Sequence, residues 1–79
     1  MLHIETDIKA DAIYIQLLDA PIGYSEELDD NRVIDYTLNP GKPAGIDLTE
    51  VSSGVILKGL PDIDKVRKIL EGLDIAIIG

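Results

Sequence analysis

The stretch Ala10-Asp11-Ala12-Ile13-Tyr14-Ile15-Gln16-Leu17-Leu18 decides how this chain is to be read. It is approached through Thr6-Asp7-Ile8-Lys9, polar enough for a surface turn, and is broken by Asp19-Ala20-Pro21. Between those limits the residues are mostly apolar and alternate, the period-two sign of a half-buried strand. Ile13, Ile15 and Leu17 share one face. Tyr14 and Gln16 take the other, where a hydroxyl and an amide reach water or a partner. A strand over residues 12–18 is therefore expected, and it is expected to be central.

Working outward, residues 2–6 alternate Leu2 and Ile4 against His3 and Glu5, which predicts a first strand joined to the second by a turn at 7–11. Beyond Pro21 a weaker strand runs over 24–29, with Tyr24, Glu26 and Leu28 on one face and Ser25, Glu27 and Asp29 on the other. Asp30-Asn31 is a turn signal. A fourth strand over 32–38 turns Ile34, Tyr36 and Leu38 one way and Val33, Asp35 and Thr37 the other. Asn39-Pro40-Gly41-Lys42-Pro43 is a loop, and a fifth strand over 44–50 sets Ile46 and Leu48 inward, Asp47 and Thr49 outward. These strands read as a small antiparallel β-meander.

The character then changes. Residues 51–54 suit a turn or one helical turn, and Val55-Ile56-Leu57 is an apolar run of either type. A helix is expected over 61–72. Pro61 suits its first position, Asp62 and Asp64 suit its positive end, and Gly72 suits its C-terminal cap. Ile63, Val66, Leu70 and Leu73 recur at helical spacing, widened by Ile69, while Lys65, Arg67 and Lys68 face out. Its role is to cover the apolar face of the sheet. Residues 74–78 predict a final short strand that adds to the sheet edge or pairs across a dimer axis. The fold class is α+β: one domain, 1–79, made of a β-sheet module (1–50) and an extension (51–79).

Charge separates the two parts. The net charge is −8. Residues 1–50 carry 11 acids and 3 bases, whereas residues 51–79 carry 4 of each. An acidic module repels phosphates, so direct nucleic-acid binding is not expected. It attracts a basic protein, and it also serves simple solubility. There is no Phe, Trp or Cys, and the aromatics are Tyr14, Tyr24 and Tyr36. Disulfides and thiolate metal sites are thereby excluded, and aromatic ligand pockets and base-stacking platforms are not expected. Met1-Leu2-His3-Ile4-Glu5 lacks the pattern of a secretory signal, and no stretch approaches a membrane span. A cytoplasmic protein is expected, and a homodimer, since 79 residues make a marginal core.

Candidate chemistry is sparse. His3 has no second His or Cys with which to share a metal. Glu26, Glu27, Asp29 and Asp30 resemble a calcium loop in composition but lack its spacing and its glycine, so they suggest at most a weak divalent-cation site. Asp35 and Asp47 fall on the outward face of their strands and form a carboxylate pair without an obvious cleft. The glycines and serines make neither a phosphate loop nor a nucleophile elbow. Catalysis is not expected, and no cofactor is implied. The residues placed for partner binding are Tyr14, Gln16, Glu27, Asp29, Asp35 and Asp47.

Several of these residues also carry a resemblance. Asp7-x-x-Ala10-Asp11-Ala12-Ile13-Tyr14-Ile15-x-Leu17, then Glu26-Glu27-Leu28-Asp29-Asp30, Val33-Ile34-Asp35-Tyr36 and Gly45-Ile46-Asp47-Leu48 resemble the domain of unknown function 2283 family over about residues 1–50. Where that family usually has Pro after the first-turn Asp, Ile8 stands here. The resemblance implies a small antiparallel sheet, with or without a C-terminal helix, and no established activity. It also implies an antitoxin-like role, in which members partner small basic ribonuclease-fold proteins.

Overall fold

The computed structural model describes residues 2–79; Met1, which opens the N-terminal stretch and the domain span read above, lies outside the described residues. The strands are β1 (His3–Asp7), β2 (Ala12–Gln16), β3 (Tyr24–Asp29), β4 (Arg32–Tyr36) and β5 (Pro43–Thr49). They form one antiparallel sheet in the order β1-β2-β5-β4-β3. A 3-10 turn, Val51–Ser53, and the helix α1, Ile63–Gly72, follow. The class is α+β.

Neighbours in sequence are neighbours in space for β1–β2 and for β3–β4–β5, but the two groups are joined through β2 and β5. The middle strand is therefore β5, and β2 lies second from the edge. Residues 17–23 cross the end of the sheet to make this possible, donating from Leu17 and Leu18 to the Ala44 carbonyl and from Gly23 to the Tyr36 carbonyl. Alternation assigns the faces of a strand but not its neighbours, which is why β2 looked central.

One face of the sheet is dry. Ile13, Ile15, Ile34, Ile46 and Leu48 point into it and are at most 2% exposed. Val55, Leu57, Leu60, Val66 and Leu70 close over them from the extension. In α1, Val66 and Leu70 are fully buried and Ile63 and Ile69 lie alongside, while Leu73, just past its end, is exposed. Val55 and Leu57 are buried with Ile56 outside, so the ambiguous apolar run alternates as an extended segment.

Four local expectations are corrected. Pro61 lies in a turn and the helix begins at Ile63, because Asp62 takes a left-handed conformation (φ 50°) while its carbonyl accepts the first helical bond from Val66. Gly72 is the last helical residue, and the left-handed turn that ends α1 is made by Asp74 (φ 57°). Residues 74–78 do not extend the sheet; Ile77 forms a parallel bridge with Val55, inside the extension. β4 stops at Tyr36, so Leu38 is exposed, whereas Thr37 is buried and its hydroxyl accepts from the Lys42 amide to close the loop.

Two polar clasps hold the extension to the sheet. Arg32, on the helix side of β4, donates to the carbonyls of Ile56 and Lys58 and pairs with Asp29 at 2.8 Å. Asp11, left-handed at the β1–β2 turn (φ 53°), accepts from the Ser52 amide and hydroxyl. A chain of this size has little surplus stability. Leu70→Ala should therefore cost about 2–5 kcal/mol and lower the melting temperature by roughly 10 °C or more. Ile56→Ala, at a side chain 40% exposed, should cost less than about 1 kcal/mol. Thermal melts followed by circular dichroism check both.

Candidate functional site

Among the described residues nothing covers the second face of the sheet, and strand register fixes what it displays. Directly opposite residues in paired strands point the same way. One row across the open face therefore runs Glu5, Tyr14, Asp47, Val33, Glu27. The next runs His3, Gln16, Gly45, Asp35, Ser25. The one Lys or Arg within the five strands is Arg32, and it lies on the helix side opposite Leu48. The open face is thus acidic and carries no Lys or Arg among the described strand residues.

Tyr14 is its centrepiece. The ring lies diagonally across β5, and its hydroxyl donates to Asp35 Oδ2 at 2.9 Å. This is possible because the residue beneath is Gly45: a Cβ there would overlap the Tyr14 hydroxyl. Glycine in a strand interior often marks such a close approach. The other carboxylate oxygen of Asp35 accepts from the Ser25 hydroxyl. Partial burial, then the hydrogen bond and charge of Asp35, then the charges of Asp47 and Glu5, push the Tyr14 phenol up to about 12.

Asp47 sits beside this pair on the middle strand. Its carboxyl is raised above the usual carboxylate range, first by burial and then by the charge of Asp35. Among the described residues no Lys or Arg forms an ion pair with it. The depression next to it, bordered by Glu5, Asp7, Lys9 and Tyr14, is wide and open rather than a cleft. Such a surface presents acceptors to a cationic group.

Of the six residues placed for partner binding, Tyr14, Gln16, Glu27, Asp35 and Asp47 share the open face. Asp29 does not. A register shift between Glu27 and Asp29 turns it to Arg32 and to the Asn31 amide, which together hold its carboxyl below the usual range. The acidic quartet is likewise dispersed. Glu26 accepts from the Tyr36 hydroxyl on the helix side, Glu27 is on the open face, Asp29 is engaged by Arg32, and Asp30 lies in the β3–β4 turn. Among the described residues no group of three or more His, Cys, Asp or Glu side chains converges as a metal site. Three participants in the open-face network are absent from the partner-binding residues read from sequence: Glu5, Ser25 and Gly45. An isolated Gly inside an alternating strand was the available signal for the last.

The geometry also gives the shared motif residues their structural roles. Asp7 accepts from the Ala10 amide in the first turn, Asp11 clasps Ser52, and Tyr14 spans Gly45 to reach Asp35. Over residues 3–52, more than half its length, the chain matches the family described as protein of unknown function (DUF2283). The chain belongs to the DUF2283 family. No curated protein and no solved structure matches it. The DUF2283 segment spans all five strands and ends in the 3-10 turn, so α1 lies beyond it. Among the described residues no helix is long and apolar enough to cross a membrane.

Two measurements test this site. Alkaline titration followed by tyrosinate absorbance should show a step near pH 12 that disappears in Tyr14→Phe. The unfolded phenol ionises near pH 10, so the folded state holds its proton longer. The stability this confers is complete below pH 10 and is lost as pH rises towards 12. Separately, calcium titration monitored by amide shifts at residues 26–30 should give diffuse, unsaturable changes, since those carboxylates diverge.

Proposed function

We propose that this chain is a protein-protein interaction module that receives a basic partner protein on the open face of its sheet. The observation that supports the reading is the one-sided display of Glu5, Asp7, Glu27, Asp35 and Asp47 around Tyr14, with no Lys or Arg on that face among the described strand residues. A surface of this kind steers a cationic protein in encounter and repels nucleic acid. Tyr14 supplies a rigid, amphipathic anchor of the kind that concentrates binding energy. Asp47 supplies a carboxylate whose charge is disfavoured in the free protein and relieved when Lys or Arg approaches. A small basic toxin is the partner class suggested by the family resemblance, and the module itself self-associates as a homodimer.

Asp47 makes the reading testable because fold and function pull on it in opposite directions. A raised carboxyl means that the folded state favours the neutral form, so stability rises as pH falls through the carboxylate range. Asp47→Asn mimics that neutral form at pH 7. It should raise stability by up to about 1 kcal/mol, a few degrees in melting temperature. The same substitution should weaken the basic partner about tenfold, as loss of one charge-assisted contact requires. Pull-downs from the native host at low salt and at ~0.5 M salt complete the test. Capture of a basic protein that is lost at high salt and with Asp47→Asn is expected. Capture indifferent to both would remove the electrostatic basis of the proposal.

A further inference from the structure

The two edges of the sheet are unlike. The β3 edge is bulged between Glu27 and Asp29 and carries Glu26, Glu27 and Asp29 in close succession, devices that keep strands from pairing edge to edge. The β1 edge lacks a bulge: all five residues pair in unbroken register with β2, and all five side chains are exposed. It also lacks Pro and Lys. On its helix side Ile4 is 39% exposed, and Leu2, just before the strand, is 40% exposed.

We propose that two copies of this chain pair through β1, antiparallel about a twofold axis perpendicular to the sheet, with Ile4 on the axis. This rests on the reading of the chain as a self-associating module and names the surface and register it uses. Such an axis keeps the faces of the two sheets in line, so one residue of β1 must meet its own copy. With Glu5 on the axis, two carboxylates stand directly opposed. With Thr6 there, Glu5 faces Asp7 of the second copy, twice. These two arrangements, and Asp7 opposite its own copy, set like charges across a strand pair, which is destabilising. His3 on the axis leaves Thr6 and Asp7 beyond the paired segment. With Ile4 on the axis, Ile4 meets Ile4 and Leu2 meets Thr6 on the helix side. On the open side His3 then meets Glu5 of the second copy at both ends. His3 and Glu5 already lie 3.2 Å apart within one chain. The pairing therefore brings two imidazoles and two carboxylates into one alternating cluster, and it joins the two open faces into a single surface.

The chain has no cysteine among its residues, so a single introduced thiol reports only contacts between copies. Sedimentation of the unmodified full chain should show a dimer that dissociates on dilution. Ile4→Cys places two thiols on the axis, in directly opposed positions that a disulfide bridges with a small shift. Glu5→Cys places them a diagonal apart, ~7–8 Å, beyond easy bridging. Ile4→Cys should cross-link about tenfold faster than Glu5→Cys, and Ile4→Lys should weaken the dimer at least about tenfold, without altering the far-ultraviolet spectrum. A dimer in which Glu5→Cys cross-links as fast as Ile4→Cys would overturn the proposed edge and register while leaving self-association standing. A monomer at every concentration up to ~1 mM would remove both, since that concentration reaches even weak association.

Discussion

Ile13, Ile15, Ile34, Ile46 and Leu48 form a layer that is covered from one side, by Val55, Leu57, Leu60, Val66 and Leu70 of the extension. Among the described residues the extension supplies one such cover, and it lies on that side alone. Alternation then dictates the remainder. Every residue placed between two core residues on a strand is delivered to the uncovered face, and there it must tolerate water. Asp47, between Ile46 and Leu48, is the sharpest case. Its neighbours are at most 1% exposed, and it emerges on the middle strand, where partial burial already disfavours its charge. The acidity of the open face and the dryness of the opposite one are two aspects of one pattern.

Much of this was legible from residues alone. The apolar alternation of Ile13 and Ile15, of Ile46 and Leu48, and the 3.6-residue spacing of Val66 and Leu70 correctly assigned faces and elements. Five of the six partner-binding candidates share a surface for the same reason. Strand order was not legible, because hydrophobic period carries no information about which strand lies alongside. Asp62 and Asp74, rather than Pro61 and Gly72, mark the helix boundaries, since both adopt left-handed conformations that composition does not announce. The single residue of shift between Glu27 and Asp29 reassigned Asp29 from the open face to Arg32. A β-bulge has that effect wherever it falls.

The family boundary and the physical boundary do not coincide. The DUF2283 segment ends at residue 52, within the turn that Asp11 clasps through Ser52. The residues that cover the sheet begin at Val55. In this chain the sheet and its cover are separate in sequence and inseparable in packing. Arg32 makes the same connection from β4, on the helix side of the sheet, bonding carbonyls 24 and 26 positions further along.

The aromatic inventory has a practical corollary. With no Trp or Phe, near-ultraviolet optical activity arises from three tyrosines alone. All three lie on strands: Tyr14 across the open face, and Tyr24 stacked on Tyr36 at 5.1 Å on the other. The extension contributes nothing to that signal, while α1 dominates the helical part of the far-ultraviolet spectrum. The molecule is thus built with two spectrally separate reporters, one for the sheet and one for its cover. Whether they fade together or apart on heating reads out directly how cooperative the two parts are.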